Sequence, residues 1–207
     1  MKKILKYLLA LVILLVAAYN MVYFKKLDEV KASASKTFDA EGYAKTFVST
    51  KLPDALKKAT DINALLTLLK SDPDKAFEEY GHALAIGSTR YFLVKGKGRI
   101  TAIDYDVVKV KIGADSSAIN IATDFVFGNA LRDASNLVNI NAFNNTLDLS
   151  NISAEINKII RTRVLPPFKA KAKINDLVEF TGAIELNSAH LNLDEVEVIP
   201  ATLKLNP

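Results

Sequence analysis

The residue types best suited to chemistry in this chain are gathered in two short stretches. Asp124, Asn129, Arg132 and Asp133 stand close together, and Arg161 and Arg163 follow on a later segment. Guanidinium and carboxylate groups in such numbers can present a planar fork to a carboxylate, a phosphate or a sugar hydroxyl. They can equally satisfy one another, as an internal ion-pair network fixing the loop Asn129–Ser135. The internal network is the favoured account, and the anion- or ligand-binding site is kept beside it. The two histidines, His82 and His190, have no second His near either of them, so no metal site is expected. Absence of Cys excludes disulfides, thiolate zinc and thiol catalysis. No Ser stands in a G-x-S-x-G elbow, although a triad assembled from distant positions is not excluded by counting. Lys95-Gly-Lys-Gly-Arg99 lacks the spacing of a phosphate loop and reads as a solvated bend. No cofactor is implied.

Several further features admit two readings. Phe125 and Phe127 alternate with Val126, so one set must face the core. Leu165-Pro166-Pro167-Phe168 suits a docking element or a rigid exit from a helix. The Asn-rich stretch 136–145 suits saccharide binding or simple turn formation.

These groups must be positioned by the elements around them. Asp39, Asp61 (or Thr60) and Asp72 are placed to cap short helices, the last followed by Pro73 at a first helical position. Ile62, Leu65, Leu66 and Leu69 follow a helical stripe, and Pro53 is expected to kink or interrupt the first helix. From Ile86 the pattern turns to strands: Arg90–Lys95 and Arg99–Ile103 separated or bent at Gly96–Gly98, Tyr105–Ile112 with Val and Lys alternating, and Ala118–Phe127. A helix capped by Ser150 or Asn151 carries Ile152, Ile156, Ile159 and Ile160 and is expected to stop at Leu165-Pro166. Strands Leu177–Leu186 and Glu195–Leu205 close the chain, with Pro200 marking an edge or bulge.

The charge is unevenly placed. The chain carries +4 overall; residues 1–31 hold six Lys and two acids, while residues 32–207 balance at 21 bases and 21 acids. A nucleic-acid partner therefore has little support. Residues 7–24, YLLALVILLVAAYNMVYF, form an apolar run of 18 residues. As a helix it would span about 27 Å, close to a hydrocarbon core. Lysines flank it, and Tyr19 and Tyr23 suit the lipid–water boundary. A cleaved secretory signal is the competing account, with Val16-Ala17-Ala18 as its small-residue site. Because the run continues through Phe24, a retained signal-anchor is preferred, with the lipid bilayer as partner through residues 7–24 and the domain outside the cytoplasmic membrane.

DFVFGNALRDAS (124–135) and RTRVLPPFKAKAKINDLVEFTGAIEL (161–186) resemble a bacterial family of predicted periplasmic lipoproteins of unknown function. The resemblance implies an envelope protein, and, because some relatives are encoded near sugar-type ABC transporters, an accessory role in uptake. It implies no catalytic residues. The chain departs from the label in having no lipidation Cys, a task the apolar helix would take over.

The expected architecture is α+β: a signal-anchor transmembrane helix (1–26), a tether (27–38), a helical region (39–85) and an OB-like five-stranded β-barrel (86–207) with one helix between its third and fourth strands. The expected function is a non-enzymatic, membrane-anchored binding or accessory module outside the cytoplasm, with a transporter or other envelope protein as partner. An envelope hydrolase using the Asp/Arg cluster and a structural assembly factor are the alternatives.

Overall fold

The computed structural model describes residues 38–113, 117–143 and 145–206, together with Lys6–Leu8, Leu11, Val12, Leu14 and Val16. Contacts divide the chain into Met1–Phe38 and Asp39–Pro207. In the first unit Lys6–Leu8, Leu11, Val12, Leu14 and Val16 are helical and Phe38 is not, and Tyr7, Leu8, Leu11, Val12, Leu14 and Val16 are exposed. No helix among the described residues is long and apolar enough to cross a membrane. Most of the apolar run 7–24 and the tether 27–37 lie outside the described residues.

In the second unit, helices come first, three of them opened by an Asp side chain that accepts from orphan amides. Asp39 Oδ1 accepts from Gly42 N at 2.8 Å and opens α1 (Ala40–Thr46), which runs through a wide turn into α2 (Leu52–Lys57). After the two-residue strand β1 (Thr60–Asp61), Asp61 Oδ1 accepts from Asn63 N and Ala64 N at the start of α3 (Ile62–Ser71). Asp72 Oδ1 accepts from Lys75 N at the start of α4 (Pro73–Tyr80).

The strands are β2 (Thr89–Ile103), β3 (Val107–Ile112), β4 (Ser117–Ala122), β5 (Leu177–Asn187) and β6 (Glu197–Asn206). Alternation sets their faces: Val108, Val110 and Ile112 are buried while Lys109 and Lys111 point outward. Ladders join β2–β3, β3–β4, β4–β6, β6–β5 and β5–β2, so the pairings form a ring, antiparallel except for β4–β6. Phe92, Val94, Ile100, Ile119, Val178, Phe180 and Val198 share one core with Ile62, Leu65, Leu66 and Leu69 of α3. Fully burying each such side chain contributes about 1.5–3 kcal/mol. Of the helices in 39–85, α3 and, through Ala76, α4 supply part of the same core. Pro200 sits at a register shift, where Thr181 pairs with Thr202 but Gly182 pairs with Pro200, leaving Ala201 as the extra residue of a bulge.

Three differences from the sequence expectation have physical causes. Lys95-Gly-Lys-Gly-Arg99 is not a solvated bend: β2 runs through it in unbroken register with β5. Its glycines provide clearance, since a Cβ on Gly96 would stand 2.8 Å from Ile62 Cγ2 and from Phe180 Cζ, and one on Gly98 would collide with the Lys111 carbonyl. The third strand of the ring ends at Ala122, not at Phe127, because the chain leaves the ladder where Thr123 N donates to Asp106 O. And Pro166-Pro167 does not stop the later helix, although Pro53 does stand just beyond a wide turn that interrupts the first.

Between β4 and β5 lie α5 (Ala130–Ala134), a 3-10 turn (Ile140–Ala142), α6 (Thr146–Ile159) and α7 (Leu165–Lys169). The cap of α6 is Asn145, earlier than Ser150 or Asn151, with its Oδ1 accepting from Asp148 N. A wide turn, Ile160–Val164, joins α6 to α7, as Phe47–Lys51 joins α1 to α2. In each the bond spans five residues, Leu165 N to Ile160 O and Leu52 N to Phe47 O, and a Leu-Pro follows. A proline ring clashes with the carbonyl four residues back and has no N–H to offer; widening the turn before it removes the conflict. The helix thus continues through Pro166-Pro167.

Candidate functional site

α5 is a single short turn of helix, and it is buried throughout. Arg132 and Asp133 retain 6% and 5% of their exposure, with Arg132 Nε donating to Asp133 Oδ1 at 2.6 Å. Arg132 Nη1 donates to the Leu149 carbonyl of α6 at 2.7 Å, and Ser135 Oγ donates to the Arg132 carbonyl at 2.6 Å. Adjacent residues on a helix do not normally face one another; here both side chains turn inward because α6 supplies an acceptor. A buried pair of this kind is worth little in net stability, but removing one partner strands a charge at a cost of about 3–5 kcal/mol.

The pair is not sealed off. With Asn129, Tyr91, Thr146, Leu149 and Ser150 it lines a cavity of about 400 Å³, to which the segment 83–87 also contributes. That volume is at the small end of ligand pockets, which run about 300–1,000 Å³. Tyr91 lies on β2 opposite Glu185 of β5. Burial pushes its phenol above the ordinary value, and the Glu185 and Asp133 carboxylates add to the push, while Arg132 and a hydrogen bond with Asn129 oppose it. The cavity therefore offers an aromatic hydroxyl, an amide and a guanidinium whose fork is only partly engaged, beside a carboxylate already paired.

The other candidates belong elsewhere. Asp124 Oδ1 lies 3.7 Å from Lys169 Nζ, both half-exposed. Arg161, in the wide turn after α6, donates through Nη1 to the Val126 carbonyl, and its guanidinium lies 5.1 Å from the Phe127 ring centroid. Arg163 is exposed and takes no part in an ion pair among the described residues. Asn129, Arg132 and Asp133 thus form one site. Asp124 and Arg161 brace a separate loop, and Arg163 belongs to neither.

That loop, 123–129, is held by donors from one helical rod. Asn157 Nδ2 reaches Gly128 O at 2.9 Å, Arg161 reaches Val126 O, and Lys169 Nζ reaches Thr123 O at 3.3 Å. Gly128 takes φ +75°, a left-handed conformation suited to glycine. Val126 is fully buried, while Phe125 and Phe127 are exposed.

The remaining expectations fall into place separately. His82 pairs through its backbone with Tyr91 and lines a different cavity of about 410 Å³ with Glu79, Tyr80 and Ser135. Burial lowers the pKa of His82. His190 is exposed in the loop after β5. The Asn residues of 136–145 that are described serve the backbone: Asn136 takes positive φ, Asn139 Oδ1 accepts from Asn141 N, and Asn145 caps α6. Among the described residues no group of His, Cys, Asp and Glu is arranged to hold a metal. Tyr91 escaped the sequence reading; as one aromatic beside core Phe92 in an alternating strand, it carries no signal that separates it from packing residues.

Comparison with known proteins adds two findings. Residues 12–204 match the family model described as predicted periplasmic lipoprotein (DUF2291). The structure is similar to the crystal structure of an OB-fold protein from Thermotoga maritima MSB8, at 24% identity and a TM-score of 0.74, over 83% of this chain and 100% of that one. No curated protein matches the chain.

Proposed function

The chain belongs to the family of predicted periplasmic lipoproteins of unknown function, and from that footing we propose that it is a membrane-anchored, non-enzymatic binding module working outside the cytoplasm, with its ligand seat in the cavity over Arg132 and Asp133. One observation carries the reading: a buried, ion-paired arginine lines an open cavity of about 400 Å³ beside Tyr91 and Asn129. Arg132 has donors beyond the two that are engaged, and Tyr91 and Asn129 add polar groups on the same wall. Such a wall suits a small solute rich in oxygen acceptors, a carboxylate or a polyol. Because Asp133 balances Arg132, the seat carries no strong net charge, which favours a ligand of low charge. Asp133 is occupied as the partner of Arg132, which is poor preparation for a general base, and this supports binding over catalysis.

The anchor follows from the sequence. Lipoproteins carry their lipid on Cys, and this sequence has none; the apolar run 7–24 is the segment fit to replace it. Service to a sugar-type transporter is the most concrete partner role, supported by the family resemblance.

The test is a thermal-shift screen of the detergent-solubilised full chain against small polyols, sugars and carboxylates. A ligand of this cavity should raise the melting temperature of the natural chain and leave Ser150→Phe, which intrudes on the cavity from α6 and keeps both members of the ion pair, unmoved. A shift that persists in a folded Ser150→Phe variant, or no shift from any of these classes, would overturn the assignment.

A further inference from the structure

We propose that the ring cluster Tyr105, Phe125 and Phe127, edged by Arg161 and Lys169, is a membrane-facing surface that rests at the lipid–water boundary. The proposal rests on the reading of 7–24 as an anchor. The three rings are 76%, 57% and 62% exposed. They are continuous: Tyr105 and Phe125 lie 6.5 Å apart between centroids, and Phe125 and Phe127 6.3 Å apart at 30° between planes. The fold requires Val126 to point inward, and so requires positions 125 and 127 to point outward. It does not require that they be phenylalanine, since polar residues would suit water better.

Three properties fit this surface to a bilayer. Cations sit against the rings, Arg161 5.1 Å from Phe127 and Lys169 Nζ 5.9 Å from Tyr105. An apolar body beside a charged head is the composition that settles at the headgroup level. The loop also brings carbonyls already satisfied: those of Thr123, Val126 and Gly128 accept from Lys169, Arg161 and Asn157. Backbone groups approaching hydrocarbon must have partners, because little water is left to replace them.

The third property is placement. α1 packs against α6, and the Glu41 carboxylate near its start acts on Lys158 near the end of α6. Lys158 and Arg161 are three residues apart, about 4.5 Å along a helix. The stretch from Phe24 to Asp39 can extend at most about 50 Å, which keeps the domain close to any membrane holding residues 7–24 and makes docking effectively intramolecular.

The chain contains no Trp, so Phe125→Trp and Phe127→Trp each introduce a single tryptophan whose emission can be excited selectively. Full-length protein would be reconstituted in phosphatidylcholine/phosphatidylglycerol vesicles, with and without brominated acyl chains. Ile86→Trp serves as control: it is fully exposed and shares a cavity wall with Thr146 and Ser150, at the opposite end of α6 from Arg161. The expected result is at least twofold quenching by brominated lipid at positions 125 and 127, and little at 86. Quenching at 125 and 127 no greater than at 86, in protein that floats with the vesicles, would overturn docking and leave the anchor intact. Protein that fails to float would overturn both. Blue-shifted emission without bromine quenching would assign the rings to a second copy or another protein and overturn the membrane.

Discussion

Two Arg/Asp groupings of nearly the same composition meet opposite fates in this molecule. Arg132 and Asp133 turn inward from a buried helical turn and lock to each other and to Leu149 O. Arg161 and Asp124 stay at the surface, the first serving a loop carbonyl and an aromatic face, the second a lysine at 3.7 Å. What separates them is the surrounding medium. In a low-dielectric pocket an unpaired charge is prohibitive, so the pair is obligatory. At the surface water screens the same attraction to almost nothing, and side chains are free to serve neighbouring backbone.

Substitutions can sharpen or break that contrast. The largest effect is expected for Arg132→Ala, which strands Asp133: about 3–5 kcal/mol of stability lost, read from a denaturant midpoint. A double change, Arg132→Met with Asp133→Leu, should recover much of it. If the single change costs no more than a surface substitution, the inner pair is as weakly held as the outer one and the contrast collapses. Next comes Asn157→Leu, which removes the donor to Gly128 O and should cost about 1–3 kcal/mol. It should also loosen the loop that carries Phe125 and Phe127, detectable as faster amide exchange there. Asp124→Asn should change stability by under about 1 kcal/mol, the smallest of these three effects.

Acidification probes burial in another way. The folded pKa of His82 lies below the ordinary 6.5 because burial disfavours its charged form. The unfolded chain therefore takes up its proton first. This contribution is intact above pH 6.5 and is lost as pH falls from there toward the folded pKa. His82→Gln should flatten that part of the pH–stability curve, a modest change next to the loss of Arg132. An unchanged curve would show that His82 is better solvated than its surroundings suggest.

Some of this organisation is legible in residue order. Asp39, Asp61 and Asp72 follow capping rules that need only a few neighbouring residues, and each caps as read. The strand faces of β3 follow from strict Val/Lys alternation. Gly96 and Gly98 misled because glycine breaks a strand in isolation but also admits a close neighbour. Which role applies depends on Ile62, Phe180 and Lys111 arriving from elsewhere. The candidate site divides the same way. Arg132 and Asp133 were readable as a pair by adjacency. Their separation from Arg161 was not, because it depends on which loop carbonyls lack a donor once α6 has packed. Tyr91 joins the cavity only through the pairing of β2 with β5.

The two wide turns also settle a question of phase. Buried positions on the first helical rod run Ala44, Phe47, Leu52 and Ala55, and on the later one Ile156, Ile160, Leu165 and Phe168. Each series steps by three or four residues and then, across its wide turn, by five. In an unbroken α-helix a step of five would swing everything beyond it by about 140° from the core. The wide turn absorbs the surplus residue, so the apolar stripe resumes on the same side. Each of these rods therefore has one place where its length is not interchangeable with its hydrogen bonding. Deleting a single residue from 160–164 would restore ordinary helical bonds and at the same stroke drive the following proline into the turn before it.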